Sequence, residues 1–170
     1  IKNVTDLKKA VSNQFTAGAF YQAFDEDQFT SANVIVLQVN NYDTTNPAVF
    51  KHPNNWKTID AFKQDFAEYP FIIVTSEEHQ KSVQQRTARD AFYVFFPLQN
   101  QMSKDELIEF STDLQNAYKV SGVSYFSFFN DVDYPCESTS NPIVEVNDGP
   151  GDLLSDIHSN KIEKTLPLIQ

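Results

Sequence analysis

Residues 33–41 read NVIVLQVNN. Four apolar, mostly β-branched residues, Val34 to Leu37, mark a strand buried on both faces, and the run then breaks into Gln38, Asn40 and Asn41 around Val39. Side chains two apart on a strand point the same way, so Gln38 and Asn40 share one face at its end. Either the strand simply finishes in a polar turn, or its two amides occupy a place where another protein would hold chemistry.

Outward from this strand, the chain alternates in a fixed order. Residues 58–69, TIDAFKQDFAEY, space Ile59, Phe62, Phe66 and Tyr69 three or four apart on one helical face, and Pro70 is expected to stop that helix. FIIVTS (71–76) and AFYVFFPL (91–98) read as two strands able to pair as a hairpin with a long tip, the second closed by Pro97. In 103–119, SKDELIEFSTDLQNAYK, Ser103 and Glu106 form an S-x-x-E capping box, with Leu107, Leu114 and Tyr118 toward the core. GVSYFSFF (122–129) supplies a fourth strand, and the region from Asn141 adds a short strand and a last helix. Ahead of all this, Leu7, Val11 and Phe15, four apart behind a Thr5 cap, predict a short helix over 5–15, while the Asn/Thr/Pro-rich stretch 42–56 reads as a long loop. The fold class expected is α+β, a β-α-β-β-α-β palm with extra terminal elements, the split pattern shared by ferredoxin-like and RNA-recognition folds.

One domain is expected from 170 residues, spanning 1–158, with 159–170 beginning a linker to a further C-terminal region; the start at Ile1 points the same way. No apolar run reaches the roughly 18 residues that span a bilayer, so no membrane contact and a cytoplasmic location are expected. Cys136 is the only cysteine and the histidines (His52, His79, His158) are scattered, so neither a disulfide nor a Cys/His metal site is expected, and no cofactor.

The formal charge is −10 and unevenly spread: residues 51–91 hold six basic and six acidic side chains, residues 101–170 four lysines against twelve acids. A strong nucleic-acid binder carries a basic footprint, and this chain has only a local one around His79, Lys81, Arg86 and Arg89. Glu77 and Glu78 beside His79 make that point a poor anion pocket. RDAFYVFF (89–96) partly matches the aromatic third strand of RNA-recognition domains but lacks its glycine and small residue, and only outward-facing rings would stack on bases.

The run from VIVLQVNN through FIIVTSEEHQK and ARDAFYVFFPL to SYFSFFN resembles the primase-polymerase domains of the archaeo-eukaryotic primase superfamily, in the form carried by plasmids, phages and genomic islands. The likeness covers about residues 30–150. Ser76, His79 and Lys81 match the family's polar block after the second strand; Arg89, Phe92, Val94, Phe96 and Pro97 match the strand after it; Phe128 and Phe129 match the last aromatic run. The chemistry departs. A palm that joins nucleotides needs carboxylates around paired metal ions, and amides cannot supply that charge. Gln38 and Asn40 stand where the family has its metal-binding aspartates, Tyr93 where it has a phosphate-contacting histidine, Val123 near its third aspartate, and Phe126 in place of a basic residue.

The resemblance therefore implies a degenerate, non-catalytic domain of a mobile-element DNA replication protein, N-terminal to a replicative helicase. Its partners would be replication proteins or that helicase, with weak DNA contact and homo-oligomerisation in the full-length protein. Two other classes compete. Asp131 and Asp133, two apart in FFNDVDYP, could re-create a D-x-D metal site, as, less favourably, could the Asp25–Asp27 cluster, giving a nucleotidyltransferase with relocated carboxylates. Alternatively the acidic surface makes the chain a protein-interaction or DNA-mimic module.

Overall fold

The computed structural model describes residues 4–15, 19–20, 29–42, 48–84, 86–117, 123–126 and 136–159. Its strands are β1 (Gln14–Phe15), β2 (Ala19–Phe20), β3 (Phe29–Val39), β4 (Pro70–Thr75), β5 (Phe92–Met102), β6 (Val123–Phe126), β7 (Cys136–Glu137) and β8 (Val144–Asp148). Its helices are α1 (Val4–Ala10), α2 (Ile59–Asp65), α3 (Lys104–Ala117) and α4 (Leu153–His158), with 3-10 turns at Val49–Lys51 and Pro53–Asn55 inside the stretch read as loop. The protein is a mixed α+β fold around an antiparallel sheet.

Four central strands lie in the order β6-β3-β5-β4, each antiparallel to its neighbour. β8 adds to the outer edge of β4, and β2 shares an edge of β3 with β6, pairing at Ala19↔Ser31 while β6 pairs from Val36 to Val39. β4 and β5 form the hairpin expected, in register at Ile73↔Val94 and Thr75↔Phe92.

The alternation of the strands sorts their side chains into two layers. Ile35, Leu37 and Val39 share a face with Phe92, Val94 and Phe96 of β5 and with Phe71 and Ile73 of β4. α2 packs on this face through Phe62, whose ring meets Phe71 at 5.8 Å and Phe92 at 5.9 Å edge-on and stacks on Phe66 at 4.3 Å. Thr58 caps α2 by accepting from the Ala61 N–H at 3.1 Å, and Asp90 Oδ2 accepts from the Ile59 N–H at 2.9 Å. α4 closes the same side, Asp156 accepting from the Tyr69 hydroxyl at 2.8 Å and His158 lying against Phe110 of α3.

The capping box at the start of α3 forms in both directions: Glu106 accepts from the Ser103 N–H at 2.8 Å, and Ser103 Oγ accepts from the Glu106 N–H at 3.4 Å. The Ser103 backbone and hydroxyl hold the Glu106 carboxyl below its ordinary range. Leu107 and Leu114 are buried as expected; Tyr118 lies outside the described residues.

Three boundaries differ from the reading of the sequence. The first helix begins at Val4 and ends at Ala10, so Thr5 sits inside it, and Phe15 belongs to β1, which pairs with β7 through Phe15↔Cys136. Positive φ at Asn13 (63°) turns the chain out of the helical path between the two. α2 ends at Asp65; Phe66 to Tyr69 form a turn that keeps their rings on the core, and Pro70 opens β4. Pro97 does not close β5, which runs on to Met102. It stands opposite Val34, where the register with β3 shifts, so its missing N–H falls at a break in the ladder.

Among the described residues, no helix is long and apolar enough to cross a membrane. Phe62 is the ring on which the helical layer converges, so Phe62→Ala should destabilise the fold by about 3–5 kcal/mol, read as a lowered urea midpoint with an unchanged m-value.

Candidate functional site

The opposite face of the sheet carries Val36 and Gln38 of β3, Tyr93 and Phe95 of β5, and Ile72 and Val74 of β4, in the cross-strand register Gln38↔Tyr93↔Val74. Ser124 of β6 lies opposite Gln38, and Val123 opposite Val39. The sequence-derived centre is thus brought together: Gln38, Tyr93 and the backbone of β6 meet on adjacent strands, with Asn40 just beyond the end of β3.

This end of the sheet is covered. Glu137 of β7 donates its backbone N–H to the Tyr93 hydroxyl at 3.1 Å, Ser138 Oγ donates to the Thr75 carbonyl at 2.6 Å, and the Glu77 N–H donates to the Glu137 carbonyl at 3.0 Å. β1 pairs onto β7, and Ser138 N–H donates to the Asn13 carbonyl at 2.6 Å, so the beginning and the later part of the chain are sewn together over the site. Tyr93 is 4% exposed, and burial above all pushes its hydroxyl well above the ordinary tyrosine range. Cys136 is fully buried beside it, its thiol pushed up to about 12 by desolvation. Phe95, at 6% exposed, is no open stacking platform, and Phe92, Val94 and Phe96 face the helices. The aromatics of the strand resembling an RNA-binding surface are core.

Asn40 and Asn41 have separate jobs. Asn40 Oδ1 accepts from the Tyr42 N–H at 3.1 Å, a side-chain turn that ends the strand. Asn41 is fully buried in the left-handed region at φ 54°, a conformation that asparagine tolerates better than most residues. Its Nδ2 donates to the carbonyls of Lys57 and Asp90, both at 2.9 Å, and its Oδ1 accepts from the Lys57 N–H at 2.6 Å. Sequence reasoning passed over Asn41; an Asn-Asn pair directly after a buried strand was the signal available.

The candidate phosphate contacts lie along the β4–β5 tip, near one another but in different states. Arg89 is 9% exposed: its Nη1 donates to the carbonyls of Asn41 at 2.8 Å and Phe50 at 3.3 Å, its Nε donates to Thr87, and its guanidinium lies 4.4 Å over the Trp56 ring. Desolvation, then repulsion from Arg86, lowers the pKa of this guanidinium. Arg86 lies 4.5 Å over the Tyr42 ring with Glu78 Oε1 at 3.5 Å. His79 turns inward, its Nδ1 accepting from the Ala91 N–H at 3.2 Å, while Lys81 is exposed. Between this tip and the 3-10 turn at Val49–Lys51 opens a cleft of ≈ 440 Å³ lined by Tyr42, Phe50, Lys51, Arg86, Thr87 and Arg89 among others.

Asp131, Asp133 and the 25–27 cluster lie outside the described residues, as do Phe128 and Phe129. Among the described residues, no three His, Cys, Asp or Glu side chains converge as a metal site would require. The chain matches no known family model, no curated protein and no solved structure.

Two outcomes follow from this geometry. Asn41→Ala should cost about 3–5 kcal/mol, since three buried backbone groups lose partners and a Cβ-bearing residue without a local hydrogen bond must hold positive φ; Asn41→Gly, which relieves only the backbone part, should fall about 1 kcal/mol short of that loss in chemical denaturation. The buried thiol binds its proton more tightly folded than unfolded. Its contribution is therefore intact below the ordinary value of 9.0 and is lost as pH rises from there toward about 12. Unfolding free energies measured at pH 8 and pH 10.5 should fall with a slope shallower in Cys136→Ala than in the native chain, by up to about 1.4 kcal/mol per pH unit.

Proposed function

We propose that the chain is a palm-type split βαββαβ domain that has no nucleotidyl-transfer activity and works as a docking module of a replication protein. The observation that carries this reading is the end of β3: Gln38 and Asn40, where a polymerase palm would set two carboxylates, are an amide facing a buried tyrosine and an amide spent on a turn. The strand order β6-β3-β5-β4 with helices after β3 and β5 is the order a split βαβ palm requires, which supports the fold half of the reading.

The plug over Tyr93 supports the functional half. A palm in use keeps its sheet face open to primer and nucleotide, whereas here the Glu137 N–H and Ser138 hydroxyl are hydrogen-bonded into it. Two-metal catalysis needs negative charge at the metals, and neutral amides lower metal affinity and transition-state stabilisation together. The docking role follows from the charge: a surface of net −10 suits a partner with a basic face, held by contacts that weaken with salt.

A primer-synthesis and primer-extension assay with Mg²⁺ and with Mn²⁺ tests the reading. The native chain should incorporate no nucleotide above a no-protein control; incorporation would overturn the proposal and direct attention to Asp131 and Asp133. In the Gln38→Asp/Asn40→Asp variant, the carboxylate introduced at position 40 still offers an acceptor to the Tyr42 N–H, so the turn survives and a gain of Mn²⁺ binding by calorimetry is the expected companion result.

A further inference from the structure

The cleft beside the β4–β5 tip has an electrostatic imbalance that the reading above does not use. Arg89 is buried, and among the described residues its charge is answered by carbonyl oxygens, a hydroxyl and the Trp56 ring. Arg86 stands near enough to repel it, and Arg86's own acidic partner, Glu78, is a 40%-exposed carboxylate at 3.5 Å. Lys51 adds a third cation on the facing turn. No carboxylate is among the described residues that line the cleft, in a chain that carries 23 acids. Burying a cation without a counter-charge is costly, and an anion seated between these groups would offset that cost.

We propose that this cleft binds an oligophosphate group, with Lys51 and Arg86 as its principal cationic contacts and the Thr87 hydroxyl as a further donor. At ≈ 440 Å³ the space accommodates a triphosphate with or without an attached nucleoside. Guanidinium groups fit phosphate oxygens in forked pairs, and the Tyr42 ring under Arg86 orients that fork without consuming its N–H donors. Arg89 sets the positive potential of the floor while staying bound to the Asn41 and Phe50 carbonyls. Gln84, which also lines the cleft, holds positive φ (53°) and fixes the backbone of the rim on that side.

Titration calorimetry of the full chain with inorganic tripolyphosphate, ATP and adenosine, without divalent metal, tests this. Trp56 is the single tryptophan and lies under Arg89, so its emission reports the same site independently. Saturable one-to-one binding of tripolyphosphate or ATP is expected, weaker at higher salt, and at least about tenfold weaker in Lys51→Ala/Arg86→Ala. Lys9→Ala, which removes a charge on α1, should leave affinity unchanged. Equal affinity for tripolyphosphate and ATP identifies a bare phosphate source, and tighter ATP a nucleotide; both support the proposal. No saturable binding, adenosine binding as tightly as ATP, or an unchanged affinity in a double variant that keeps its native circular dichroism would each overturn it. The inference stands on the cleft alone, so binding without nucleotide incorporation leaves the non-catalytic reading intact, and incorporation without binding here leaves the cleft refuted by itself.

Discussion

The side-chain amide of Asn41 is the constraint on which the arrangement around the sheet's end depends. Three segments far apart in sequence, the end of β3, the entry to α2 and the entry to β5, must meet where the strands stop, and each brings backbone groups that no ladder can satisfy. Asn41 answers Lys57 on both its N–H and its carbonyl and answers the Asp90 carbonyl as well, while its own carbonyl receives Arg89. Only a residue with a donor and an acceptor on one planar group, able to hold positive φ, does this. Asp90 then spends its carboxylate on the first N–H of α2 and on the Gln80 amide, so the same junction fixes both the helix and the hairpin tip.

From that junction the two faces of the sheet take different characters. The helical face is an aromatic core in which Phe62, Phe66, Phe71, Phe92 and Phe96 meet edge-on, stacked or tilted. The other face is closed at the end that holds Tyr93 by very short strands, β1 and β7, that would have no stability alone. They persist because they land on groups already fixed by the sheet: the Tyr93 hydroxyl and the backbone of Thr75. Tyr93 is thus a socket for β7, and its hydroxyl is as much a part of that small sheet as of β5.

The periodic parts of the fold were legible. Helical spacing placed α2 and α3, apolar runs placed β3, β4 and β5, and Ser103 with Glu106 announced the start of α3 through a local, reciprocal hydrogen-bonded pair. Two of the three misread boundaries have one physical root, in that each depended on a partner distant in sequence. Phe15 continues a helical spacing but is drawn into β1 by Cys136, 121 residues on (136 − 15), and Pro97 looks like a strand terminator until the register shift at Val34 gives its missing N–H a place. The site was half legible. Gln38, Asn40 and Tyr93 were grouped through the family resemblance, whereas the covering of Tyr93 by Glu137 and the burial of Arg89 on Trp56 rest on loops with no period.

The two amides at the end of β3 answer to different local demands. Asn40 closes a turn, a role aspartate would fill equally well, so its neutrality is not demanded by the turn itself. Gln38, half-buried, lies opposite Tyr93, and a carboxylate in its place would lose part of its hydration. Once β7 is hydrogen-bonded onto Tyr93, an uncompensated carboxylate at position 38 would be costly. Lys51, Arg86 and Arg89 lie outside this covered end and line the cleft beside the β4–β5 tip.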